Sequence, residues 1–68
     1  MNAFIYISSS HSSDPHIIEE RIKYYLETED FQITSDAAST HIIFDQEITK
    51  EQLFKLDVTM SSLGYVRP

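Results

Sequence analysis

The chain has 68 residues, a net charge of −6 and no cysteine. A chain this short builds one core and one domain, spanning 1–68, with little room beside that core for a deep, water-excluding active site. The missing cysteine excludes disulfides, thiolate metal sites and thiol catalysis. The acidic balance disfavours phosphate backbones and anionic membranes and suits a basic protein partner.

Residues 3–8, Ala3-Phe4-Ile5-Tyr6-Ile7-Ser8, are aromatic and β-branched and read as a strand. A polar Ser/His loop follows, Ser9 to Ser13. Asp14-Pro15 then marks a helix start, with Asp14 as N-cap and Pro15 at the first helical position. Ile18, Ile22, Tyr25 and Leu26 recur at helical spacing and predict a helix over 15–28 with one apolar face. Tyr24 and Tyr25 are adjacent and face differently, so one of them is expected in the core.

Phe31-Gln32-Ile33-Thr34 alternates and predicts a half-buried strand over 31–34. Ser35 to Ser39 reads as a turn, and Thr40 to Asp45 as the return strand of a hairpin. Thr49 caps a second helix, and Gln52 completes a capping box. Leu53, Leu56, Met60 and Leu63 supply its apolar repeat, and Gly64 sits where the helix should stop. Tyr65-Val66-Arg67 reads as a short final strand.

The order β-α-β-β-α(-β) predicts an α+β domain with the ferredoxin-like, split β-α-β arrangement: an antiparallel sheet with two helices on one face. The strand patterns point the same way. The first and third strands are apolar on both parities, as central strands should be, and the second on one only, as an edge strand would be. If Ile5 and Ile7 face the helices, Phe4 and Tyr6 lie on the open face. Either parity leaves apolar groups there, an expected contact surface that two copies of the chain could share as a homodimer.

Three arrangements deserve weighing as chemistry. The loop Ser8 to His16 contains serine, histidine and aspartate, but residues so close in sequence seldom converge as a triad, and no glycine is present to form an oxyanion turn. At the helix N-terminus, Asp14 would take the N–H groups that a phosphate needs. His11, Asp14, His16 and His41 follow no familiar zinc-ligand spacing. No catalytic residue, metal or cofactor is therefore expected, and the chain is not read as an enzyme. The runner-up reading is a small-ligand or metal-binding ferredoxin-like domain using the Ser/His loop.

The charge is more informative. Residues 14–30 carry −4 of the total −6. Glu19 and Glu20 suit the positive end of the first helix, whereas Glu27, Glu29 and Asp30 crowd its negative end, where each costs about 0.3–1 kcal/mol. A local rule broken without compensation points to function. Glu19, Glu20, Glu27, Glu29 and Asp30, with Phe4, Tyr6 and Tyr24, are therefore the expected partner-binding residues.

The segment Met1 to Ile5 has no basic region and reads against a signal peptide. The longest apolar run, Ala3 to Ile7, is too short to span a membrane. A small domain without disulfides is expected to be intracellular and cytoplasmic. In size, acidity and lack of cysteine the chain resembles the broad class of small phage-encoded or mobile-element inhibitors. Some of these, anti-CRISPR proteins included, occupy nucleic-acid-binding sites on host proteins. That resemblance implies an inhibitor or regulator whose partner is a protein with a basic surface, itself a nucleic-acid binder; direct nucleic-acid or membrane binding is not expected.

Overall fold

The computed structural model describes residues 2–8, 14–36 and 39–68. The aromatic and β-branched run near the N-terminus forms strand β1 (Ala3–Ser8). Helix α1 (Pro15–Leu26) begins as its sequence dictates, with Asp14 Oδ1 accepting the His16 amide at 2.8 Å and Pro15 in the first turn. It stops two residues short of the expected end. Glu27 adopts the left-handed backbone, φ 56°, and still donates its N–H to the Lys23 carbonyl. The usual signal for such a stop is glycine, which is absent here, so the end was not legible.

Strands β2 (Phe31–Ser35) and β3 (Ser39–Phe44) form the expected hairpin, with each strand reaching one residue further towards the turn. At the strand ends Asp36 Oδ1 accepts both the amide and the hydroxyl of Ser39, and Ala37 and Ala38 of the expected turn lie outside the described residues. Helix α2 (Lys50–Ser62) carries the full capping box. Thr49 Oγ1 accepts the Gln52 amide at 3.1 Å, and Gln52 Oε1 accepts the Thr49 amide at 2.9 Å. Gly64 follows at φ 87°, a conformation that suits glycine, and turns the chain into β4 (Tyr65–Val66). Arg67 lies outside that strand.

The four strands make one antiparallel sheet in the order β2-β3-β1-β4. Strands β3 and β1 are central; β2 and β4 are edges. Helix α1 packs over β2 and beside α2, which packs over β4. Between the helices and the sheet lie Phe4, Tyr6, Ile18, Ile22, Leu26, Ile42, Phe44, Leu56, Met60 and Tyr65, all buried. Phe31, Ile33, Ile48, Leu53 and Leu63 close the margins. Phe44 joins the aromatic groups, edge-on to Phe4 at 6.1 Å and tilted against Phe31 at 5.7 Å.

Two expectations about exposure are overturned. Phe4 and Tyr6 do not lie on the open face; they are buried under the helices, and Ile5 and Ile7 are exposed instead. Cross-strand pairing gives the reason, because residues directly opposite share a face. On β2 only the row of Phe31 and Ile33 is apolar. Pairing carries that row to Phe44 and Ile42 on β3, and Ile42 carries it to Phe4 on β1. The polar row, Gln32, Thr34 and His41, stays in solvent and takes Ile5 with it. Nor is either adjacent tyrosine in the core: Tyr24 is 75% exposed and Tyr25 48%, with their rings meeting edge-on at 4.9 Å. The stripe of Ile18, Ile22 and Leu26 already fills the space beneath α1.

Candidate functional site

The carboxylates that follow α1 gather at one end of the molecule. The left-handed turn at Glu27 directs the chain away from the helix axis. Thr28 Oγ1 then accepts the Asp30 amide, and Asp30 leads into β2. Across the hairpin the Asp45 amide donates to the Asp30 carbonyl at 2.9 Å. Glu27, Glu29, Asp30 and Asp45 thus share one exposed end of the sheet and helix layer. Lys23 Nζ, in the last turn of α1, lies 3.0 Å from Glu19 and 3.8 Å from Glu29. The Glu19 carboxylate holds that ammonium above its usual range.

The five expected acidic residues therefore divide. Glu27, Glu29 and Asp30 come together, joined by Asp45, which sequence reasoning had placed only as the end of a strand. Glu19 is half-buried and paired with Lys23 at the favourable i, i+4 spacing. Glu20 is exposed on the helix. Glu19 and Glu20 sit in the second turn of α1, whose first turn contains no acidic residue, so their interaction with the helix dipole is weak.

Tyr24 is exposed, as expected. Its neighbour Tyr25 borders a shallow groove between the helices, lined further by Phe54, Lys55, Val58, Thr59 and Ser62. On the far side of the sheet Ile5, Ile7, Ile43 and Val66 are each 41–62% exposed. With Ala3, Gln32, Thr34 and His41 they form the middle of this face, and by strand alternation Asp30 and Asp45 continue it at one end.

No family model, curated protein or solved structure matches the chain.

One polar constellation escaped the sequence reading. The Tyr6 hydroxyl donates to Asp57 Oδ1 at 2.6 Å, and Arg67 grips the same carboxylate with Nε at 3.0 Å and a terminal nitrogen at 3.1 Å. Burial, reinforced by the adjacent carboxylate, pushes the Tyr6 phenol well above its ordinary range. The Arg67 guanidinium holds the Asp57 carboxyl below the usual range. Each group is matched, and none is poised to exchange a proton near neutral pH. The only available signal was general: a buried tyrosine needs a partner for its hydroxyl.

Ser9 to Ser13, including His11, lie outside the described residues. At the border of that loop the Asp14 carboxylate is occupied as the helix N-cap. Among the described residues no group of three or more histidine and carboxylate side chains could hold a metal ion. No helix among them is long and apolar enough to cross a membrane.

Proposed function

We propose that this chain is a small acidic protein-binding module, without catalytic activity, that engages a basic surface of its partner. In this reading it is an inhibitor or regulator of the phage or mobile-element type, and its partner is a cytoplasmic nucleic-acid-binding protein. The observation that carries the reading is the gathering of Glu27, Glu29, Asp30 and Asp45 at one exposed end, where Lys23, shared between Glu19 and Glu29, is a nearby cation. A cationic partner surface would complement this concentration of negative charge. The strand order β2-β3-β1-β4 with one helix after β1 and another after β3 supports the ferredoxin-like arrangement for its scaffold.

The test combines capture of a partner from the native host with a salt series. Exposed charges more than about 10 Å apart are largely screened at 0.1 M salt, so binding through this end should weaken steeply with added salt. Replacing Glu27 and Glu29 by glutamine and Asp30 by asparagine should weaken capture while thermal stability holds or rises slightly. Capture unaffected by the triple replacement would refute the proposal.

A second surface has its own support. The open sheet face exposes Ile5, Ile7, Ile43 and Val66, an apolar patch on which two copies could meet. Sedimentation over a concentration series would detect that homodimer.

A further inference from the structure

The sheet is unequally defended at its two edges. Strand β4 is two residues long and is followed closely by Pro68, a common way of blunting an edge. Strand β2 is five residues long, pairs with β3 in continuous register and contains no lysine, proline or bulge.

The hydrogen-bond phase shows which groups face outward. The Asp45 amide donates to Asp30, and the Asp36 amide donates to Ser39. Hydrogen-bonded pairs alternate along an antiparallel ladder, so Gln32 and Thr34 direct their N–H and C=O groups to β3. Phe31, Ile33 and Ser35 direct theirs to the outer edge. The Phe31 amide turns back to the Glu29 carbonyl at 3.0 Å. The Phe31 carbonyl and both backbone groups of Ile33 and Ser35 are left facing outward, and β2 ends the sheet on that side.

We infer that the outer edge of β2 accepts an extended, basic segment of the partner as an added antiparallel strand. The inference rests on the function proposed above and specifies how the partner is gripped. Charge identifies the occupant. A two-fold pairing of β2 with a second copy would centre on Ile33 and set Asp30 of each copy opposite Asp36 of the other. Like charges directly opposite are destabilising, so the ends of β2 discourage self-pairing. Asp30 already stands opposite Asp45 across the hairpin. A lysine or arginine on the incoming strand opposite Asp30 would give this row its missing cation. Apolar residues on that strand would lie beside the half-buried Phe31 and Ile33, while small polar ones would flank the exposed Gln32 and Thr34. Backbone bonds then give affinity, and the alternating side chains and terminal charge give selectivity.

The test is a nuclear magnetic resonance titration of the whole chain with a capped peptide of alternating valine and threonine ending in two lysines. Control peptides end in two glutamates, or carry N-methyl groups on the amides that would meet β2. The lysine peptide should shift the Ile33 and Ser35 amides and slow their hydrogen exchange. The glutamate ending should weaken binding about tenfold, and N-methylation by at least about as much, the loss of one to two hydrogen bonds. Binding that survives N-methylation but is lost with the Glu27, Glu29 and Asp30 replacements would overturn strand addition and leave the basic-surface reading standing. An equal response to both charge endings would overturn the inferred charge selection. Absence of shifts at Ile33 and Ser35 at millimolar peptide would overturn the inference outright. So would protection of the same amides in a dimer of the free protein, since the edge would then belong to a second copy.

Discussion

Tyr6 is the residue at which burial and polarity meet most directly. Its ring fills the core, while its hydroxyl reaches Asp57, which Arg67 in turn holds. Replacing Tyr6 by phenylalanine keeps the ring and removes the bond, and should cost about 1–2 kcal/mol in denaturant unfolding, because partly exposed Asp57 regains hydration. The pH dependence has a definite sign. The folded phenol holds its proton above the ordinary value of 10.0, so the unfolded chain ionises first. Stability should therefore be intact below about pH 10 and fall as pH rises beyond it, with a flatter alkaline limb in the phenylalanine variant. Asp57 has the opposite sense: its carboxyl is held below the ordinary 3.8, so its contribution is present above that value and lost as pH falls further. Glu27 offers a separate residue-scale test. An L-residue in left-handed backbone costs about 1–2 kcal/mol, so Glu27→Gly should raise the melting temperature.

At the scale of elements, the local signals that fixed the helix starts were readable because their chemistry is short-range. Asp14 and Thr49 bond to amides two and three residues away, and such bonds need no tertiary partner. Thr49→Ala removes one half of the capping box and should cost about 1 kcal/mol, measured by thermal unfolding. The end of α1 was less legible. The apolar period continues to Leu26, but nothing in the residues that follow demands a stop at Glu27. The expectation that one of the two adjacent tyrosines is buried failed for a related reason. Periodicity places Tyr25 at the margin of the apolar stripe, and whether a margin is covered depends on the distance of the neighbouring helix. The candidate site shows the same division. Glu27, Glu29 and Asp30 are neighbours in sequence and were found there; Asp45 joins them only through the hairpin.

For the whole molecule, the two faces of the sheet should respond very differently to substitution. Ile22 is fully buried among the helices and strands, and Ile22→Ala should cost about 2–5 kcal/mol. Ile43 lies on the open face at 45% exposure, and Ile43→Lys should change the stability of the monomer by about 0.5 kcal/mol or less. If two copies associate through that face, the lysine variant should sediment as a monomer where the parent does not. Unfolding and sedimentation of the same variant thus separate a folding role from an association role.

The sequence by itself determined the element order, the helix caps, the apolar stripes and the concentration of charge around α1. These depend on period, on capping chemistry and on composition, all readable within a few residues. The tertiary structure decided which face of β1 is buried, because a strand apolar on both parities takes its orientation from its neighbours through the register. It also brought Asp57 and Arg67 to Tyr6, set Asp45 beside Asp30, and left the outward-facing backbone of β2 without a neighbouring strand among the described residues. Those outcomes depend on groups far apart in sequence, whose meeting is fixed only when the strands pair and the helices close over one face.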